Sequence, residues 1–152
     1  MKANEMFRAF LQENNLPQTD YDAFAFGVDA DLLAELVRCG KKTACSSLHE
    51  VYAHENAPLP KAGQYSVVLD SRENAVCVIR TTLVYMCAFN KVSPLHAAKE
   101  GEGNGSLAYW RREHEDFFRK ELSAIDLPFT RQTPVVCEEF ELVYPKQKED
   151  KA

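Results

Sequence analysis

Residues 75–89 contain neither proline nor glycine and are rich in valine, threonine and other β-branched or aromatic side chains. Branching at Cβ restricts rotation in a helix and suits the pleated surface of a sheet, so this run reads as a strand. Its apolar stretches, 76–79 and 83–89, fall well short of the ~18 residues of a membrane span. Tyr65–Leu69 has the same character, and 70–74 between them is turn composition, which predicts a hairpin. Residues 135–144 return to strand composition. Strands at 65–69, 75–84 and 135–144 are therefore expected in a mainly antiparallel, barrel-like sheet.

Helical periodicity fills the remainder. Met6, Phe7, Phe10 and Leu11 form one apolar stripe on a first helix ending at Asn14-Asn15-Leu16-Pro17. Asp29 or Asp31 can cap a second helix, with Leu32, Leu33, Leu36 and Val37 as its buried face and Gly40 at its left-handed end. Ser47 and Glu50 have capping-box spacing, predicting a short helix that carries Leu48, Val51 and Tyr52. Ser93-Pro94 starts a further helix and Gly101 stops it. Leu107, Trp110, His114, Phe117, Phe118 and Leu122 place the longest helix at 106–125, and 100–105 reads as a flexible acidic loop. This order predicts an α+β fold, with helices around a mainly antiparallel sheet. We expect a domain at 29–144, a helical extension packed on it at 1–28, and a disordered charged tail at 145–152.

Composition then narrows the partners. The chain has 18 Lys and Arg against 23 Asp and Glu, a net charge of −5, which disfavours coating long DNA. A local site for one nucleotide or a short RNA remains open, because Lys41-Lys42 and Arg111-Arg112 are tight basic pairs. The five cysteines, Cys39, Cys45, Cys77, Cys87 and Cys137, include no CxxC, and no His pair has metal-ligand spacing. A disulfide framework, a structural zinc and a cofactor are not expected. Residues 1–15 lack the apolar core of a secretory signal, so the expectation is a cytoplasmic protein without a membrane partner.

Chemistry-bearing groups concentrate at Gly40-Lys41-Lys42-Thr43-Ala44-Cys45-Ser46, where a helix end delivers two amines, hydroxyls and a thiol. The bland reading is a solvated lysine pair after a helix cap. A phosphate-binding GxxxxGK[ST] loop is not supported, since the required upstream glycine is absent and position 36 is leucine. A second patch, Glu100-Gly101-Glu102-Gly103 with Asn104, is either a solvated turn or a recognition loop. Trp110 reads as core, and His114, four residues on, as a satisfied helix histidine or a base near a cleft.

Several strings in order resemble the ASCH domain, in particular its longer bacterial members. They are Gly40-Lys41-Lys42-Thr43-Ala44, Leu59-Pro60-Lys61-Ala62-Gly63, Val67-Val68-Leu69-Asp70, Glu100-Gly101-Glu102-Gly103, Ser106-Leu107-Ala108-Tyr109-Trp110-Arg111 and Val135-Val136-Cys137-Glu138. The resemblance implies a β-barrel similar to the PUA domain, surrounded by helices, with a cleft at the Gly-Lys-Lys-Thr turn. It also implies an association with RNA binding, and some small bacterial members are regarded as amidohydrolases that remove the acyl group from N4-acylated cytidine. Those members look like they use a lysine, a threonine and a glutamate. By motif the lysine is Lys42, the threonine position holds Cys45, and the glutamate is Glu102 or, second, Glu100. Gln64 also departs from the family pattern, in which an aspartate often follows the glycine.

Two functions compete on these residues. As an amidohydrolase of a nucleoside, Lys42 with a lowered pKa would take a proton from Cys45 or Thr43, and Glu102 would orient it or donate to the leaving amine. Backbone N–H groups after Gly40 would hold the oxyanion. As a non-catalytic RNA- or nucleotide-binding module, Lys42 and Arg111 would contact phosphate and Tyr109 or Trp110 would stack on a base. The acidic loop would read an exocyclic amine. Gly40, Lys41, Thr43 and Glu100 complete the expected binding surface, with Lys41 facing solvent because neighbours in an extended segment alternate.

Overall fold

The long β-branched run forms the spine of the sheet. In the computed structural model, which describes residues 1–146, β4 (Ala75–Ala88) pairs antiparallel on one side with β3 (Tyr65–Leu69). Their turn is fixed by Asp70, whose side chain accepts from the backbone N–H groups of Arg72 and Asn74 at 2.9 and 2.8 Å, a side-chain mimic of a backbone turn. On its other side β4 pairs antiparallel with β5 (Pro134–Tyr144), from Val78 opposite Tyr144 to Ala88 opposite Pro134. All three strands expected from the sequence are present. The tail expected to be disordered lies, from residue 147 on, outside the described residues.

Two further strands carry no clear sequence signal. β1 (Tyr21–Ala25) adds parallel to β3, and β2 (Ala44–Leu48) adds antiparallel to β5, giving the order β1-β3-β4-β5-β2. The helical reading of 1–28 thus omits a strand integrated in the sheet. The edge strands face each other across a cavity to which all five strands contribute, so the sheet is a curled half-barrel. The capping box expected at Ser47 does not form, because Ser47 lies inside β2 and its hydroxyl pairs with Tyr52 Oη at 2.9 Å. The short helix α3 (His49–Glu55) starts after Leu48 instead.

Strand alternation assigns each helix a face. Val67 and Val78 pack with Met6, Phe7, Phe10 and Leu11 of α1 (Ala3–Glu13). Val68, Cys77 and Ile79 point the other way, onto Ala34 and Val37 of α2 (Ala30–Arg38). Leu32, expected in the buried face of α2, is 56% exposed, because the buried stripe runs through Leu33, Ala34 and Val37. Neither Asp29 nor Asp31 caps α2 with its side chain. Asp31 accepts instead from the N–H and hydroxyl of Ser71, tying the helix to the β3–β4 turn.

The third apolar cluster, with Phe89, Trp110, Phe118, Leu122, Val135 and Cys137, lies between β5 and the closing helices. These are α4 (Pro94–Glu100), capped by Ser93 Oγ accepting from the His96 N–H, and α5 (Leu107–Ser123), capped likewise by Ser106. Each large side chain buried here contributes about 1.5–3 kcal/mol. Among the described residues no helix is long and apolar enough to cross a membrane.

The first two residues of the segment expected as a flexible acidic loop are packed. Glu100 is the last residue of α4 and is buried, and Gly101 ends the helix at φ +67°. A side chain at Gly101 would put its Cβ 2.2 Å from the backbone oxygen of Lys41, so only glycine allows the Gly40 turn to close on α4. Gly101→Ala is expected to cost at least roughly 2 kcal/mol, from the clash and the left-handed backbone together. Urea denaturation of the variant checks this.

Candidate functional site: a buried lysine–carboxylate cluster

The site begins where α2 ends. Gly40, at φ +82°, reverses the chain, and the N–H groups of Lys41 and Lys42 both donate to Leu36 O, at 2.9 and 3.0 Å. Thr43 then donates its N–H to Lys99 O at 2.8 Å and accepts from the Phe140 N–H at 3.0 Å, clasping the segment between α4 and β5. Alternation turns Lys41 to solvent and Lys42 inward, where it is 2% exposed.

Lys42 Nζ donates to Glu102 Oε2 at 2.7 Å, to Glu100 Oε1 at 3.3 Å and to Glu100 O at 3.4 Å. It also lies 5.4 Å from the centre of the Phe26 ring. Glu100 is the hub: its Oε2 accepts from Ser46 Oγ at 2.6 Å, from Trp110 Nε1 at 2.5 Å and from His96 Nε2 at 2.9 Å. His114 Nε2 stands 3.4 Å from its other oxygen. The His114 ring stacks on Trp110 at 4.3 Å, and its Nδ1 lies 2.9 Å from Trp110 O. A carbonyl can only accept, so Nδ1 carries a proton and Nε2 faces the carboxylate. Among the described residues, His96 Nδ1 is buried without a hydrogen-bond partner.

The charges follow from this geometry. Burial opposes the Lys42 ammonium, but the Glu100 and Glu102 carboxylates outweigh it and hold the amine above its ordinary pKa. Burial would raise Glu100, yet hydrogen bonds from His114 and His96 and the charge of Lys42 keep it well below the carboxylate range. Burial lowers His114, and Glu100 reverses that, leaving it raised. The Cys45 thiol is pushed well above its usual value by burial and then by Glu138. The Glu138 carboxyl is itself pushed by burial to about 7.

Lys42, Cys45, Ser46, Glu100, Glu102, His114 and Phe26 line a chamber of about 140 Å³. A larger cavity of about 560 Å³ shares Phe26, Gly27, Cys45 and Ser46 with it, so the two chambers of the cleft adjoin. Glu100, Glu102 and His114 bring ligand atoms within 4.8 Å of one another, the composition of a divalent-cation site. The Lys42 ammonium already stands against both carboxylates and supplies the positive charge there.

Residues 22–144 match the ASCH domain family. The chain belongs to the ASCH family. An ASCH domain from Lactobacillus crispatus JV V101 is 32% identical at a TM-score of 0.83, covering 92% of this chain and 95% of that one. A protein from Enterococcus faecalis V583 is 36% identical, also at 0.83, covering 93% of this chain and 89% of its own. None of the curated proteins compared matches the chain.

Within this ASCH domain, the expected residues separate into two groups. Lys42, Glu100 and Glu102 meet, and Cys45 lines the same chamber but is hydrogen-bonded to none of them. Gly40 and Thr43 shape the turn, the Thr43 hydroxyl donating to Lys99 O at 3.2 Å. Lys41 and Arg111 are exposed and line neither chamber of the cleft. Tyr109 packs its ring against Gly103, and the Arg112 guanidinium lies 5.7 Å from the ring centre. Trp110, at 2% exposure, is held between Phe89 and His114 and has no free face for a base. The lowered pKa expected for Lys42 is reversed, because two carboxylates meet the amine rather than one. Ser46 and Glu138 lie in strings the sequence marks, but neither they nor His96 is among the expected site residues. The one available signal was spacing: His96–Glu100 and Trp110–His114 are both four apart on helices.

Two outcomes follow for stability. Lys42→Met takes the ammonium from the buried Glu100 and the half-open Glu102 carboxylates and should cost about 3–5 kcal/mol, and adding Glu102→Gln should recover part of it in urea denaturation. Because His114 is raised in the fold, its contribution is complete below about pH 6.5 and is lost as pH climbs through the raised value. His114→Gln should remove that slope from a series of thermal melts.

Proposed function

We propose that the cleft binds a single nucleoside, free or presented by unpaired RNA, as a recognition module. The protonated Lys42 between two carboxylates carries this reading. An amine acting as general base must be neutral and a thiol acting as nucleophile must be ionised, and both groups are biased the other way. What remains is a fixed array of donors and acceptors beside a cavity within the ~300–1,000 Å³ range of small-molecule sites. ASCH membership supports the nucleoside class, given the family's association with RNA.

One observation favours a second reading, hydrolysis of an N4-acylated cytidine. Glu102 is the half-open member of the cluster, its side chain 23% exposed beside the Lys42 ammonium. Glu102 would take a proton from water, the resulting hydroxide would add to the amide carbon, and Lys42 would stabilise the oxyanion. The C–N bond would then break, with the proton returned to the departing amine.

Calorimetric titration of the four ribonucleosides, run beside ultraviolet assays of N4-acylated cytidines, separates the readings. Binding without turnover, weakened about tenfold by Glu102→Gln, is expected. Turnover that vanishes in the same variant would establish the hydrolase instead, and no binding and no turnover would dismiss both.

A further inference from the structure

The two carboxylates that flank Lys42 are both reached from the first turn of α5. Trp110 holds Glu100 directly, through its indole N–H, and its neighbour Tyr109 acts on Glu102 by another route. Gly103, next to Glu102, has φ +57°. A Cβ there would lie 2.5 Å from Tyr109 Cζ and 2.6 Å from each Cε, so the tip of the phenol ring fills the space that any side chain at this position would need. On the other side of Glu102, Gly101 is pressed against the Lys41 carbonyl. Glu102 is thus a single residue between two glycines, each seated on a neighbour.

Such seating matters for this carboxylate in particular. The Glu102 side chain is 23% exposed and, among the described residues, hydrogen-bonds only to Lys42 Nζ, at 2.7 Å. Glycine on either side gives the backbone its widest freedom, and a half-open ion pair on a loose backbone loses to entropy much of what the charges gain. The turn is closed by the Gly105 N–H donating to Glu102 O at 2.9 Å and the Ser106 N–H donating to Asn104 Oδ1 at 3.0 Å. Tyr109 adds the side chain that holds this turn from α5. Its ring belongs to none of the three apolar clusters and lines neither chamber of the cleft, so neither core packing nor ligand contact accounts for it. We infer that Tyr109 is a positioning residue, whose ring seats the Gly103 turn and so sets the Glu102 carboxylate at the Lys42 ammonium.

This role replaces the base-stacking one expected from the sequence. The ring is itself steadied by the Arg112 guanidinium, 5.7 Å from its centre. Without the ring the chambers keep their lining, but Glu102 is free to leave Lys42 and presents its acceptor in the productive place only part of the time. The consequence for ligand affinity rests on the nucleoside reading above, whereas the hold of Tyr109 on Glu102 does not.

The test is a double-mutant cycle of Tyr109→Ala and Glu102→Gln in the full chain, read by calorimetric titration of the four ribonucleosides and by urea denaturation. Tyr109→Leu takes the place of the alanine variant should that one not fold. Tyr109→Ala should weaken binding about fivefold or more, and the double variant should bind within about twofold of Glu102→Gln alone. Tyr109→Phe keeps the ring and should bind as wild type does. Full affinity in folded Tyr109→Ala overturns the assignment and leaves the nucleoside reading standing. Losses that multiply in the double variant overturn it too, since the ring would then act apart from Glu102, and so does a Tyr109→Phe as weak as Tyr109→Ala. Without any ligand, the stability lost on Tyr109→Ala should at least halve in the Glu102→Gln background, and an equal loss in both backgrounds overturns the seating of Glu102. A wild type that binds none of the four discards the nucleoside reading and leaves the urea cycle to decide for Tyr109.

Discussion

The carboxylate of Glu100 is the interaction on which the rest of the site depends. Leaving a charge in a low-dielectric interior costs several kcal/mol unless it is surrounded by donors, and here they come from Lys42, Ser46, His96, Trp110 and His114. These residues belong to the turn after α2, to β2, to α4 itself and to α5. Removing any one element would leave the charge short of a donor, so the carboxylate fixes the mutual positions of four pieces of chain. The packing of Gly101 against the Lys41 carbonyl closes the same junction from the backbone side.

Long, strongly patterned elements were readable from the residues. β3, β4 and β5 follow from β-branched runs with turn chemistry between them, and α5 follows from an apolar stripe that tertiary packing then uses. β1 and β2 were not readable, for a physical reason. Tyr21–Ala25 is mostly exposed and Ala44–Leu48 is Ala, Cys and two Ser before a single Leu, so neither has the alternation of large apolar residues that marks a half-buried strand. Their pairing is dictated by the edges already available on β3 and β5. In the site, Lys42 was identifiable because a helix end and alternation together aim it inward. Glu100 reads from sequence as part of a flexible acidic loop, solvated or used in recognition, since glutamate beside glycine has that composition, and its burial at the end of α4 is not legible there. Only the donors gathered from distant sequence make it a buried charge.

The cleft divides its electrostatics between two chambers. In the smaller one, Lys42 and His114 stand against Glu100 and Glu102, and this cluster is close to neutral when His114 is protonated. In the larger one, the acids are unmatched by any basic side chain. Cys45 stands where the two regimes meet, and its thiol is kept protonated by the burial and the carboxyl on its far side. A threonine hydroxyl, which the resemblance implies for this position, would be a stronger hydrogen-bond donor at the same junction than the thiol.

The half-barrel leaves β1 and β2 as the two ends of the strand order. Each presents a row of backbone N–H and C=O groups without a sheet partner, and the rows border the larger cavity from opposite sides. A closed barrel would join them and leave no mouth. The unjoined seam leaves backbone donors and acceptors along both strand edges, independent of side-chain identity. A molecule lodged between the edges can bridge them, so that occupancy would draw the two ends of the sheet into one hydrogen-bonded unit and slow amide exchange along both at once.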